Sequence, residues 1–309
     1  MQSSLTFSIA IPAFNEAANI GRLLSVLLAQ TYSSGKLEEI LVISDGSSDQ
    51  TVREVKKVSA QQVRVIAAKS QLGQATRQNQ MFEESQADVL ILLNADILPT
   101  SEHFIEEMLK PFIADPSIGL VGAKVTPVLK NGTIISDILN WNTTWKTGLF
   151  EQINSGDNIF LCHGRARAFS KKLYKQLRWP QIQGEDAYSY VYAKTNGFAF
   201  AYAPNAVVWY ASPKTLADHI KQSERFMYTI GEVSAEAEEI NSQTKNWYYI
   251  PKSLLLKELV RGFLSNPLYF VGYCMILSFV LVNRLWHSNA KRSAAWAAST
   301  STKQIVLDE

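Results

Sequence analysis

Three acidic features stand out in this 309-residue chain, two of them directly after short apolar runs. Asp45 stands in ISDGSSDQT, directly after EILVIS, and Asp96 stands in LLNADILP, where an unbroken Val/Ile/Leu run stops. Glu185 and Asp186 stand in QIQGEDAYSY, after a glycine that permits a sharp turn. A single aspartate after a strand is ordinarily a turn-former or a helix cap. Three such features on one edge of a fold suggest a shared ligand. A hard divalent cation, Mg2+ or Mn2+, takes carboxylate oxygens together with the phosphates of a nucleotide. One strand-end carboxylate can hold a metal that neutralises a diphosphate leaving group. A second, on another element, can accept the proton of an attacking hydroxyl. Asp45, Asp96 and Asp186 suit the nucleotide, metal and general-base positions in turn.

The elements that must position these residues alternate in type. Apolar runs predict strands at 7–11, 39–44, 63–67 and 89–93, with helical patterns at 16–30, 49–60 and 73–85 between them. Continuous Val/Ile/Leu runs separated by helices imply a parallel sheet covered on both faces. The expectation is a doubly wound, mostly parallel α/β fold, whose ligands bind beyond the carboxyl ends of the strands. Asp96 lies just past such an end. After residue 118 the pattern changes: strands are expected at 118–129 and 158–170, around an irregular segment rich in Trp and Asn. A helix near 187–195, a strand pair within 197–210 and a long helix near 216–240 follow, and a domain boundary is placed near 245.

Composition sets limits on partners. Thirty basic and 28 acidic residues leave a net charge of +2, so no global field recruits nucleic acid. Cys162 and Cys274 lie far apart without CxxC spacing, which argues against a disulfide scaffold or zinc site and suits a reducing compartment. The start, MQSSLTFSIAIPAFNE, has no basic region before its apolar run and is not expected to be a signal peptide. Asp157, in GDNIF, is either an added acid at the site or a turn residue.

Taken in order, IPAFNEAANIGRLLSVLLAQTY, VISDGSSDQT, QLGQATRQNQ, LLNADILP and GEDAYSYVYAKTNGFAFAYAPNAVVW resemble the motif series of family 2 glycosyltransferases of GT-A fold. The likeness runs from about residue 7 to 210, roughly two thirds of the chain. It implies an inverting transfer from a nucleotide-diphosphate sugar to an acceptor hydroxyl, UDP being the default nucleotide with GDP and dTDP open. By that resemblance Pro12, Phe14 and Glu16 line the nucleotide pocket, Asp45 contacts the base or ribose, and Arg77 lies near the uracil or diphosphate. Asp96 matches the metal-binding acid of the family's DxD motif, with Asn94 in place of its first acid, leaving one fewer charge there. Asp186 matches the catalytic base, with Glu185 orienting it or the acceptor, while His163 and Gly164 in HGRARAFSKKLY approach the donor sugar or phosphate. KQSERFMY is similar to the Q-x-x-R-W motif at Gln222 and Arg225, with Phe226 for Trp, and reads equally well as a solvated helix face with a core Phe.

From Trp247 the composition shifts towards large apolar residues, so residues 1–245 are expected to form the catalytic domain. Residues 246–309 are expected to form a membrane-associated helical segment and a tail. From Leu268 to Val282 there is no charge, a marginal length for a span that takes ~20 residues. Upstream, NWYYIPKSLLLKELVRGFL mixes aromatics and leucines with Lys252, Lys257 and Arg261, as an interfacial helix does. Basic flanks on both sides fit a monotopic or re-entrant insertion at the cytoplasmic face as well as one crossing, and a buried closing helix is the alternative. Membrane attachment points to a lipid-linked or surface-glycan acceptor, and homo-oligomerisation is left open. The rival functions are a sugar-phosphate nucleotidyltransferase, which the uncharged IPAFNEAANIG disfavours, and a catalytically impaired scaffold.

Overall fold

The structure, a computed structural model, describes residues 5–128, 132–180, 184–223 and 247–286. The chain runs β1 (Leu5–Ala13), α1 (Ile20–Leu28), β2 (Gly35–Asp45), α2 (Thr51–Lys57), β3 (Val63–Ala68), α3 (Gln74–Glu84), β4 (Val89–Leu93) and β5 (Ile97–Pro99). It continues with α4 (Phe104–Ala114), β6 (Ile118–Pro127), α5 (Ile134–Glu151), two short 3-10 turns, β7 (Ala166–Ser170), α6 (Lys171–Tyr174), α7 (Glu185–Thr195) and β8 (Ala199–Tyr210). A helix α8 over 216–223 precedes α9 (Lys252–Ser265) and α10 (Pro267–Trp286).

The strands form one sheet in the order β3-β2-β1-β4-β7-β6-β8-β5. Side chains alternate across it, and both faces are apolar. Phe7, Ile9 and Ile11 join Leu23, Leu24 and Leu27 of α1 and Met108 and Leu109 of α4 on one face. Ala10, Leu41, Ile43, Leu90 and Leu92 meet Met81 and Phe82 of α3 and Tyr190 of α7 on the other. This is why these strands read as unbroken apolar runs.

The expected mostly parallel sheet is in fact mixed. Strands β3, β2, β1 and β4 are parallel, but β7 runs antiparallel to both β4 and β6, and β5 antiparallel to β8. Ala166 at the start of β7 pairs with Leu93 at the end of β4. The chain from β6 to β7 therefore returns at the carboxyl edge of the parallel strands, and it brings residues 163–165 there. Two other expectations also change. The Trp/Asn-rich segment is α5, started by a reciprocal cap in which Ser136 N donates to Thr133 Oγ1 at 3.2 Å and Thr133 N to Ser136 Oγ at 3.3 Å. The strand pair within 197–210 is the single strand β8, whose register against β6 slips between Ala203 and Val207 around Pro204 and Asn205.

Trp247 and Tyr248, just beyond the expected boundary, pack on the sheet domain: Trp247 lies edge-on to Tyr190 at 5.4 Å and Tyr248 to Phe160 at 5.9 Å. The α9–α10 pair then lies along α5. Trp145 Nε1 donates to the Glu258 carbonyl at 2.8 Å, and Lys146 Nζ to Tyr273 Oη at 2.7 Å. Gly262 allows this approach, since a Cβ there would stand 3.0 Å from Trp145 Nε1. In α10, Ile276 and Val280 are buried, whereas Leu268, Met275 and Phe279 are exposed, so the helix is not enclosed. Among the described residues no helix is long and apolar enough to cross a membrane.

Candidate active site

Loops at the carboxyl edges of β1 and β2 are laced together. Asn15, at φ 54°, donates its amide to Ser47 Oγ at 3.1 Å and accepts from Ser48 N at 2.8 Å through Oδ1. Glu16 N donates to Thr51 Oγ1 at 2.8 Å, and its carbonyl accepts from Asn19 N and Ile20 N to start α1. Pro12 is buried at the end of β1, Phe14 is half-buried, and the buried Glu16 carboxylate accepts from Asn19 Nδ2 at 3.0 Å. Asp45 ends β2 fully buried. Its Oδ1 accepts from Leu72 N at 2.9 Å and Arg77 Nε at 2.6 Å, and Oδ2 from Gly73 N at 2.8 Å. Arg77 also donates to the Ser70 carbonyl at 2.8 Å. The Asp45–Arg77 pair thus holds the β3–α3 loop against the end of β2, and the two residues expected near the nucleotide are bonded to each other.

At the end of β4, Asn94 N donates to the Arg165 carbonyl at 2.9 Å, and its Oδ1 accepts from Gln74 Nε2 at 3.1 Å. Ala95 is buried. The Asp96 side chain is half-buried and makes no ion pair with the described residues. No group of three or more His, Cys, Asp or Glu side chains converges among the described residues. A cation at Asp96 would therefore take most of its ligands from phosphates and water. Mg2+ is commonly held this way, by one or two carboxylates plus substrate phosphates.

Glu185 and Asp186 open α7 and are half-buried. Asp186 Oδ2 accepts from Gly164 N at 3.2 Å, and Oδ1 from Ala187 N at 2.8 Å. The approach is close enough that a Cβ on Gly164 would stand 3.2 Å from Oδ2. Beneath them lies Arg167, fully buried. Its Nη1 donates to the Glu185 carbonyl at 3.0 Å and to Ser189 Oγ at 2.8 Å, and Trp179 Nε1 donates to the same carbonyl at 2.7 Å. Burial holds His163 neutral, with its pKa brought down to about 4, assisted by the Arg165 and Arg167 cations against the pull of Asp186. Burial pushes the Cys162 thiol up to about 12, which leaves it unreactive. Burial, and then the charge of Asp186, raise the Tyr248 phenol.

Residues 163–165 join the two halves of the site: Gly164 bonds Asp186, and Arg165 bonds Asn94, two residues before Asp96. Asp157 stands apart, tied to Tyr190 Oη at 2.8 Å and Lys194 Nζ at 2.7 Å. Gln222 is half-buried on α8, while Arg225 and Phe226 lie outside the described residues. Sequence reasoning passed over Arg165 and Arg167, whose signal was the alternation of two arginines with alanines in HGRARAFS.

The sequence profile described as Glycosyl transferase family 2 matches residues 8–178. Glycosyltransferase AglE of Haloferax volcanii is 31% identical over 135 residues, 43% of each chain. An undecaprenyl-phosphate 4-deoxy-4-formamido-L-arabinose transferase of Shewanella sediminis is 32% identical over 117 residues, 37% of this chain and 35% of that one. The matches thus span less than half the length of these relatives. Among solved structures, the mannosyltransferase PcManGT from Pyrobaculum calidifontis, in complex with GDP-Man and Mn2+, aligns with a TM-score of 0.63. The alignment covers 92% of this chain and 88% of that one at 18% identity, a likeness of fold.

Proposed function

Since the chain belongs to glycosyl transferase family 2, whose profile covers more than half of it, we propose inverting sugar transfer from a nucleoside-diphosphate sugar to a hydroxyl of a lipid-linked or cell-surface glycan. The observation that carries this reading is the bridge of residues 163–165, which bond Asp186 through Gly164 and, through Arg165, Asn94, two residues before Asp96. It supports reading one carboxylate as serving the leaving group and the other as serving the acceptor. Asp186 takes the proton of the attacking hydroxyl. Each of its oxygens accepts one main-chain amide and keeps a lone pair for that hydroxyl. Arg167 and Trp179 hold the preceding carbonyl, so the base is oriented from its own backbone. Asp96 is the residue to hold Mg2+ or Mn2+, which when bound supplies charge neutralisation for the departing diphosphate. Pro12, Phe14, Glu16 and the Asp45–Arg77 pair shape the nucleotide side.

UDP is the donor nucleotide favoured by the family resemblance, and GDP stands beside it because PcManGT was solved with GDP-Man. The lipid-linked acceptor is supported by the name of the undecaprenyl-phosphate transferase and by the exposed apolar residues of α9 and α10, and the place proposed for the enzyme is the cytoplasmic face of the cell membrane. The test is a panel of UDP- and GDP-sugars, with and without Mn2+, offered with polyprenyl-linked acceptors in detergent micelles. Metal-dependent formation of a product with inverted anomeric configuration by NMR is expected. Retention of configuration, or hydrolysis without transfer, would overturn the reading.

A further inference from the structure

Arg165 carries a charge that no carboxylate among the described residues pairs with. Its carbonyl accepts from Asn94 N at 2.9 Å, which fixes the residue beside the turn that carries Asp96. Its guanidinium lies over the Tyr210 ring, 4.1 Å from the centroid, and Tyr210 pairs with Ile97, the residue after Asp96. The side chain is therefore laid along the strand that leaves Asp96. Nη1 reaches His163 Nε2 at 3.5 Å, and Nε is buried without a hydrogen-bond partner. Arg165 forms no ion pair with the described residues. A guanidinium stays charged, and burying part of it without an anion is costly. Asn94 lacks the charge that would neutralise it. The nearby Asp186 carboxylate is bound to Gly164 and Ala187 instead.

A partly desolvated, stacked fork of N–H donors fits a phosphoryl group, which it can bind through two parallel hydrogen bonds. We propose that Arg165, held flat by Tyr210, is a phosphoryl-binding residue at the reaction centre, taking the donor's diphosphate on the side away from the cation held by Asp96. The inference rests on the glycosyltransferase reading given above. The same chemistry would suit the phosphate that links a lipid to its sugar, so the test has two arms.

In the first arm, calorimetry compares UDP and GDP with UMP and GMP, each with Mn2+, on the full chain and its variants. Arg165→Ala should lose ~10–100-fold in affinity for the diphosphate that the wild type binds, the range for a charge-assisted pair, with little change for the monophosphate. Arg165→Lys, a point charge without the fork, should fall between. Tyr210→Phe, which keeps the ring, should bind as wild type, while Tyr210→Leu should show a smaller selective loss. Thermal melting of each variant reports folding separately, and a merely structural role would weaken both nucleotides alike. In the second arm, the KM for a polyprenyl-phosphate-linked acceptor is measured. A rise there with unchanged nucleotide binding would move the residue to the acceptor phosphate and overturn the donor assignment. No selective change in either arm would overturn the proposal while leaving the proposed function intact. Wild-type protein that binds no nucleoside diphosphate with Mn2+ would overturn both.

Discussion

Asp96 and Asp186 share a residue type but differ in surroundings, and their substitutions should separate cleanly. Asp186 accepts two main-chain amides, so Asp186→Asn preserves its shape while removing basicity. Transfer should then fall by ~10²–10⁴-fold, the usual loss for general acid–base catalysis, with donor affinity nearly unchanged. Asp96→Ala should instead abolish the metal dependence of nucleotide binding by calorimetry. Near-normal turnover in Asp186→Asn would pass the base role to Glu185. His163 supplies a pH signature. Burial takes its pKa from an ordinary 6.5 down to about 4, so between those values the unfolded chain binds a proton that the folded chain refuses. Its contribution to stability is full above pH 6.5, falls as pH drops through the window, and is gone below 4. His163→Gln should flatten part of the decline in urea midpoint between pH 7 and 5. An unchanged slope would count against a ring held neutral in the fold. At this scale the positions of the acids were legible, because turn chemistry at strand ends is local. The partners of Asp45 were not, since they come from the β3–α3 loop and the first turn of α3, 27 to 32 residues further on.

The elements were legible where each is buried by its own sequence. β1, β2 and β4 announce themselves because both faces are apolar, and α1 because Ile20, Leu23, Leu24 and Leu27 fall on one stripe. α5 was not recognised. Its Trp, Asn and Thr residues are indifferent helix formers, and part of its packing comes from α9 and α10, more than a hundred residues later. Asn140, which looks like a loop residue, is buried and donates to the Val128 carbonyl at 2.8 Å. Docking by α9 relies on the close Gly262–Trp145 approach and on the hydrogen bond of Trp145 to the Glu258 carbonyl. Gly262→Val should displace the Trp145 indole, break its hydrogen bond to Glu258, and raise amide exchange across α9 and α10. Nucleotide binding should persist, because the site rests on the sheet. Uniform loss of protection through the sheet would show instead that the hairpin and the sheet unfold as one unit.

For the whole molecule, the open question is what covers the outer face of the hairpin. Leu256, Leu264, Leu268, Met275 and Phe279 are exposed together, around a groove of about 550 Å³ lined by Phe263, Phe270, Val271, Met275, Phe279 and Val282. Exposed apolar residues in this number on one helix pair point to an interaction site. α10 does not qualify as a span, and Lys252, Lys257 and Arg261 stand on the adjoining helix, which is the composition of a helix lying in a bilayer interface. Each lysine or arginine near an anionic leaflet is worth ~1 kcal/mol, a contribution that salt weakens. Purified protein should therefore float with vesicles containing anionic lipid, bind less to purely zwitterionic ones, and lose part of its binding in high salt. The double variant Leu264→Asp/Phe279→Asp should stay in the lipid-free fraction while still binding nucleoside diphosphate, since both residues are exposed. A chain ending at Ile250 keeps Trp247 and Tyr248 on the sheet domain and should behave like the double variant. Flotation by that shortened chain would place the lipid contact elsewhere on the molecule and leave the hairpin face without its proposed partner.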